Sequence, residues 1–109
     1  MTHDEVMEMI SKMGLPSAYD HFAEGESPNP PFVVFLYPNS RNFAADGKVY
    51  FKASRLNIEL YTDQKDISLE ETVEAVLDGY GIFYEKSEAW IESEKLYEML
   101  YEMEYRSVQ

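Results

Sequence analysis

Four carboxylates close together in the segment LNIELYTDQKDISLEETVEAVL, residues 56–77, are the first candidates for chemistry. They are Asp63, Asp66, Glu70 and Glu71. Clustered carboxylates bind hard cations through their oxygens, and two neighbouring carboxylates can divide acid and base roles. The spacing matches no calcium loop, because DQKD lacks the glycine of that turn and is followed by no third ligand at the required offset. We therefore expect these residues to form a turn and a helix cap.

The same segment predicts where a helix starts. Ser68 and Glu71 have the spacing of a capping box, and Glu70 and Glu71 would lie in the first turn, where the helix dipole favours negative charge. Asp63 and Asp66 would form the preceding turn. The apolar stripe of this helix is Leu69, Val73, Val76 and Leu77, and its predicted stop is Gly79 and Gly81.

The two histidines offer little chemistry of their own. His21 follows Asp20 and could act as a general base, but no serine nucleophile motif accompanies it, and His3 is far away in the sequence. The absence of cysteine excludes thiolate catalysis and thiolate metal sites. No phosphate-binding glycine pattern is present. We predict no catalytic residue, no metal site and no cofactor, and hence not an enzyme.

The length and net charge of the chain limit the kinds of protein it can be. The 109 residues are predicted to form a single domain, residues 1–109, with a formal net charge of −12. Such a charge repels a phosphate backbone, so specific nucleic-acid binding is not expected. No apolar run approaches the ~20 residues that cross a bilayer, and the first residues do not have the pattern of a signal peptide. We expect a cytoplasmic protein without a membrane partner.

The first half of the chain predicts one helix, a loop and a buried strand. Thr2 and Glu5 form a capping box, and the apolar stripe that follows ends at Gly14. Residues 16–31 have the proline-rich composition of a loop. Residues 32–38, FVVFLYP, are apolar on both faces and predict a central strand. The helix stripe consists of Val6, Met9, Ile10 and Met13.

The second half predicts mainly antiparallel strands. Asp46 and Gly47 suit a tight hairpin turn, after which a strand begins at Lys48, with an irregularity expected at residues 53–55. Residues 56–61 alternate apolar with polar side chains, and residues 82–91 read as another strand. Residues 94–106 fit a helical stripe or a strand. We favour the strand because a tyrosine or a methionine stands at every second position from Tyr97 to Tyr105.

These elements predict an α+β domain with the order α-β-β-β-α-β-β. Two helices would pack on a mostly antiparallel sheet of about five strands. Nine tyrosines, six phenylalanines and Trp90 are many aromatic residues for a small domain. They could fill the core or form protein-protein contacts, where tyrosine and tryptophan are enriched, and the sequence leaves both readings open.

Three stretches together resemble a family of phage proteins: PPFVVFLYPNSRNFAADGKVYF, LNIELYTDQKD and YEKSEAWIESEKLYEMLYEMEY. They are similar to the tail terminator, or tail completion, proteins that join head and tail in long-tailed bacteriophages and prophages. The resemblance covers nearly the whole chain beyond the first helix. It is a pattern of strands and turns and contains no catalytic signature.

The resemblance implies a subunit of a homo-oligomeric ring, typically a hexamer, at the head-proximal end of the tail tube. Such a ring stops tube growth and joins the tube to the head-tail connector. The partners would be further copies of the chain, the major tail tube protein and the connector protein. The protein would be found in the host bacterial cytoplasm during assembly and then in the neck of the virion, and a negative charge would suit a channel that DNA passes without binding.

Two other readings remain open. One is another neck protein, either a head-tail adaptor or a stopper. The other is a small acidic DNA mimic that inhibits a host enzyme, which would need carboxylates in rows at phosphate-like spacing. The glutamates of this chain instead alternate with tyrosines in strands or lie on helix faces, which disfavours the mimic.

Overall fold

A computed structural model of the chain describes the backbone of residues 1–38, 40–45 and 48–108, and the side chains of residues 1–38 and 55–104. These ranges contain two helices and six strands. In chain order they are α1 (His3–Ser11), β1 (Ser17–Tyr19), β2 (Phe32–Leu36), β3 (Ser40–Ala45), β4 (Lys48–Thr62), α2 (Ile67–Gly79), β5 (Tyr84–Ile91) and β6 (Leu96–Val108). The predicted α+β class and its order of elements are confirmed, with β1 as an additional short strand.

All six strands belong to one sheet with the order β1-β2-β4-β6-β5, and β3 pairs with β4 beyond the end of β2. Every pairing is antiparallel except that of β1 with β2. The ambiguous C-terminal segment is a strand, as predicted. It lies between β4 and β5, where its alternating side chains divide between the two faces of the sheet.

Both helices lie against the same face of the sheet. On β4 the buried residues of this face are Leu56, Ile58 and Leu60, as the alternating pattern predicted. α1 contributes three hydrophobic residues to the core, Met13 follows just after it, and α2 contributes two, so the core is a single layer between helices and sheet. The other core residues are Val6, Met9, Ile10, Met13, Val33, Phe35, Val73, Leu77, Met99, Tyr101 and Met103.

The start of α1 is the predicted capping box. The amide of Glu5 donates to Thr2 Oγ1 at 3.2 Å, and the amide of Thr2 donates to Glu5 Oε1 at 3.0 Å. The hydrogen bond from the Thr2 backbone lowers the pKa of the Glu5 carboxyl. The helix ends at Ser11, and Gly14 has a φ of +73°, a conformation in which glycine avoids the steric cost of a side chain.

Two details of the predicted strands are wrong. The predicted loop at residues 16–31 contains β1, whose three residues pair in parallel with residues 33–35 of β2. The irregularity predicted at residues 53–55 is absent from the described backbone, where β4 pairs continuously with β6. The register shift lies instead in the pairing of β3 with β4, where Phe43 and Ala44 pair with Phe51 and Val49 and Tyr50 of β4 is the extra residue. The predicted turn at Asp46 and Gly47 falls outside the described residues.

β4 extends along the whole length of the molecule. Its 15 residues, at about 3.3 Å each, span roughly 50 Å, and the longest dimension of the chain is 51 Å. Residues 57–61 of β4 pair with β2, and residues 48–54 pair with β3. We call β3, residues 48–54 of β4 and residues 105–108 of β6 the β arm. No helix in the described part of the chain is long and apolar enough to cross a membrane.

Candidate functional site

The acidic junction before α2 is a helix cap, but Ser68 is not the capping residue. The helix begins at Ile67, and Asp66 Oδ1 accepts a hydrogen bond from the Leu69 amide at 3.0 Å. The predicted capping box of Ser68 with Glu71 is therefore wrong. Aspartate and serine are about equally good N-caps, so the choice depends on where the strand before the helix ends.

Glu70 is not a surface residue of the first helical turn. The residue is 1% exposed, and its carboxylate lies between two lysines. Lys86 Nζ is 2.7 Å from Oε1, while Lys65 Nζ is 3.0 Å from Oε1 and 2.7 Å from Oε2. Lys86 also binds Glu74 at 2.7 Å, and Lys65 pairs with Glu88. We call these five residues the buried ion cluster.

The buried ion cluster connects α2 to the sheet. Burial raises the pKa of Glu70, but hydrogen bonds from Lys65 and Lys86 outweigh it and hold the pKa below its ordinary value. Tyr101 Oη donates to Glu74 at 2.7 Å, and burial together with this bond raises the pKa of the tyrosine. The carboxylate of Glu70 is thus kept ionised by two fixed cations, which suits a structural role.

The other predicted candidates are not brought together with this cluster. Asp63 and Glu71 are exposed. His3 Nδ1 is 2.6 Å from Tyr37 Oη, and His21 Nδ1 is 3.0 Å from Asp20 Oδ2. Among the side chains described, no three histidine or acidic residues are arranged to hold a metal ion.

The face of the sheet opposite the helices, here called the open face, has a second group of carboxylates. Tyr61 Oη lies 2.7 Å from Glu98 Oε2 and 3.1 Å from Glu59 Oε1. Burial, followed by repulsion from Glu98, raises the pKa of Glu59. Burial and the contact with Glu98 also raise the pKa of Tyr61. The aromatic ring of Tyr61 stacks on Phe32 with centroids 5.2 Å apart.

A concavity at the β5 edge of the open face adds further acidic residues. Its volume is about 390 Å³, and Glu85, Glu102 and Glu104 line it together with Arg55 and Phe83. We call it the acidic pocket. Phe83 is 95% exposed in the connection between α2 and β5. A large apolar side chain that stays this exposed contributes almost nothing to folding.

A second concavity lies between α1 and the β1 edge of the sheet. Its volume is about 350 Å³, and we call it the aromatic groove. Tyr19 lies 5.5 Å from Phe35 and 5.6 Å from Tyr37 between ring centroids, and Tyr19 and Met7 are 48% and 44% exposed. Because β1 and β5 are opposite edges of the sheet, the aromatic groove and Phe83 lie near opposite edges.

The described aromatic residues are divided between the core and the surface. Phe32, Phe35 and Tyr101 are buried, whereas Phe83 and Trp90 are exposed, the latter to 45%. The alternating pattern of β6 contains a signal for the burial of Tyr101, because Tyr101 lies on the same face of the strand as Met99 and Met103. The exposure of Phe83 has no signal in the sequence, since it depends on where the turn after α2 leaves the core.

Comparison with known proteins assigns the chain to no family. No protein-family model matches the chain, and no curated protein matches it significantly. The resemblance of the sequence to tail terminators therefore stays a prediction.

Proposed function

We propose that the chain is a structural subunit of a phage or prophage tail that resembles a tail terminator. It forms a homo-oligomeric ring at the head-proximal end of the tail tube, stops tube growth and joins the tube to the head-tail connector. The hexamer that the resemblance implies is part of this proposal. The protein acts through surface complementarity, and no catalytic step is assigned to it.

The observation that carries the proposal is exposed apolar surface at two opposite edges of one sheet. Phe83 lies at the β5 edge, and the aromatic groove with Met7 and Tyr19 lies at the β1 edge. A ring subunit needs two different surfaces, because a heterologous contact joins unlike patches of successive copies. A subunit between tube and connector needs further surfaces for those two partners.

Two alternatives are separated from this proposal by position and by assembly state. A head-tail adaptor or stopper would form a similar ring but bind the connector without stopping tube growth. A DNA mimic would act as a monomer through its open face, where Glu85 and Glu102 are register partners on adjacent strands. Arg55 on the same face, paired in register with Glu104, is a poor fit to a surface that imitates phosphates.

Tube growth in the presence of the purified chain tests the proposal. Tail tube protein from the same gene cluster is polymerised with and without it, and tube lengths are measured by electron microscopy. We expect shorter tubes with the chain present. Phe83→Ser should weaken this effect, whereas Ile67→Ser, at another exposed apolar residue, should not. Tube lengths that do not change with the dose of the chain would contradict the proposal.

A further inference from the structure

β5 is an edge strand with one free side. It is the last strand in the order β1-β2-β4-β6-β5, and among the described strands it pairs only with β6. The β arm continues β6 beyond the last of these pairs, so it extends the sheet past the end of β5. Residues 85–90 are all exposed. The backbone amide and carbonyl groups that point outward from such an edge are a template for another strand.

Charged side chains often block an edge of this kind, but the central charges of β5 are held by the buried ion cluster. Lys86 Nζ lies 2.7 Å from Oε1 of Glu70 and 2.7 Å from Oε2 of Glu74, both on α2. Glu88 pairs with Lys65. The cation of Lys86 is thus fixed against the helix and does not project into the path of a neighbouring strand. The outer backbone of β5 therefore stays accessible.

The faces of the sheet limit how a second copy of β5 can pair with the first. Tyr84, Lys86, Glu88 and Trp90 lie on the face that packs on the helices, and the residues between them lie on the open face. Opposite residues of antiparallel strands have their side chains on the same face. In a two-fold pair, residue i contacts residue j and j contacts i. An even-numbered residue must therefore oppose an even-numbered one, because a slip of one residue turns the strand over.

One such register matches unlike charges and aromatic rings. It places Ser87 opposite Ser87 of the second copy, on the two-fold axis. On the face of the helices, Lys86 then lies opposite Glu88, and Tyr84 lies opposite Trp90. Opposite charges and aromatic pairs at directly opposed positions both stabilise antiparallel strands. The edge of β5 is therefore complementary to itself.

The same register matches apolar residues on the open face. One step beyond the end of β5, Phe83 beside the acidic pocket lies opposite Ile91 of the second copy. Glu85 lies opposite Ala89, so it meets no charge. Phe83 and Trp90 are 95% and 45% exposed in the single chain, and pairing removes part of this apolar surface from water.

The neighbouring registers are unfavourable. A shift of two residues in one direction puts Lys86 opposite Lys86 on the axis, and a shift in the other direction puts Glu88 opposite Glu88. Like charges directly opposite each other destabilise a strand pair. Larger shifts shorten the pairing. The charges of β5 thus select a single register for a second copy.

We propose that two copies of the chain pair through β5 as antiparallel strands about a two-fold axis at Ser87. The contact joins the two sheets into one and forms roughly six to eight backbone hydrogen bonds, two for each hydrogen-bonded residue pair. This inference goes beyond the proposed function and does not rest on it, because a two-fold contact closes on itself and cannot by itself generate a ring. Phe83 belongs to both surfaces, so the dimer and the ring subunit are alternative states of this edge.

A like-charge substitution on the axis tests the dimer. Ser87→Glu places two carboxylates opposite each other and should weaken dimerisation at least about tenfold. Ser27→Glu makes the same change at an exposed residue between β1 and β2, on the other side of the sheet, and should dimerise like the wild type. Sedimentation velocity and native mass spectrometry measure the dimer, and circular dichroism establishes that each variant is folded.

Single cysteines test the register in a chain that has none of its own. Ser87→Cys opposes two thiols with Cα atoms about 4.5–5.5 Å apart, within the span of a disulfide, so mild oxidation should link the copies. Ala89→Cys is the matched control, because its two thiols are offset by about 13 Å along the strands and should stay unlinked. An equimolar mixture of Ala89→Cys with Glu85→Cys should form a linked dimer that neither variant forms alone.

Several results would overturn the inference. These are a wild-type chain that stays monomeric, unchanged dimerisation of Ser87→Glu, and linkage of Ala89→Cys as efficient as that of Ser87→Cys. A monomeric chain that binds an extended segment of another protein along β5 would assign the edge to that protein and overturn the inference as well.

The assay of tail tube growth keeps this inference separate from the proposed function. A chain that dimerises through β5 and leaves tube length unchanged would support the strand pairing and contradict the proposed function. A chain that shortens tubes but never dimerises would support the proposed function and overturn the strand pairing.

Discussion

Replacing Glu70 by glutamine should destabilise the fold through loss of one buried charge. The substitution keeps the size of the side chain and its capacity to accept a hydrogen bond, but it removes the negative charge between Lys65 and Lys86. It also places an amide NH₂ group where both neighbours are donors. The variant therefore isolates the electrostatic contribution of the buried ion cluster from the packing of α2 on the sheet.

The magnitude follows from the exposure of the two lysines. Removing one partner of a fully buried ion pair costs about 3–5 kcal/mol. Lys65 and Lys86 are 36% and 34% exposed, and they keep Glu88 and Glu74 as partners, so water and these carboxylates compensate part of the loss. We expect Glu70→Gln to lower the free energy of unfolding by about 2 kcal/mol.

Urea denaturation at several pH values measures this effect, with Glu71→Gln as the control. Glu71 is exposed on the same helix, and its substitution should change the free energy of unfolding by less than about 0.5 kcal/mol. The folded-state pKa of Glu70 is lowered, so its stabilisation is present above the unfolded pKa of about 4.3 and is lost as the pH falls through the folded pKa. Equal losses in both variants, or a Glu70→Gln deficit that persists at pH 2, would refute the reasoning.

Three further substitutions test other parts of the structure. Asp66→Ala should lower the free energy of unfolding, measured in urea, by about 1 kcal/mol, whereas Ser68→Ala should leave it almost unchanged. A larger loss for Ser68→Ala than for Asp66→Ala would show that Ser68 is the N-cap. Glu59→Gln should stabilise the fold by about 0.5 kcal/mol at pH 7, because it removes a negative charge that burial and repulsion from Glu98 disfavour. That gain should vanish below the unfolded pKa of Glu59, where the carboxyl is protonated in both the folded and the unfolded chain. A gain that does not change with pH would contradict this explanation. Phe83→Ser should leave the melting temperature unchanged, and a marked fall would show that Phe83 packs in the core.

Periodicity in the sequence predicted most of the secondary structure. The Thr2 cap, β2 and the alternation along β4 and β6 each depend on neighbours within one element, and local patterns record these well. β1 was missed because three residues are too few for a period and its pairing with β2 is set by tertiary contacts. The bulge at Tyr50 likewise has no local signature.

The buried ion cluster had a partial signal in the sequence. Glu70 precedes Val73 by three positions and Leu77 by seven, a spacing that places it on the buried stripe of α2. The prediction that Glu70 interacts with the helix dipole in the first turn did not take this spacing into account. Its partners Lys65 and Lys86 come from the preceding turn and from β5, and the sequence alone could not bring them to one point.

The location of the chain on assembled tails tests the central claim most directly. Tail tubes grown with the purified chain can be imaged by cryo-electron microscopy without symmetry imposed along the tube. The account predicts a ring of several copies at one end of each tube and none along its length. Bare tube ends at saturating concentration of the chain, or copies distributed along the tube wall, would contradict it.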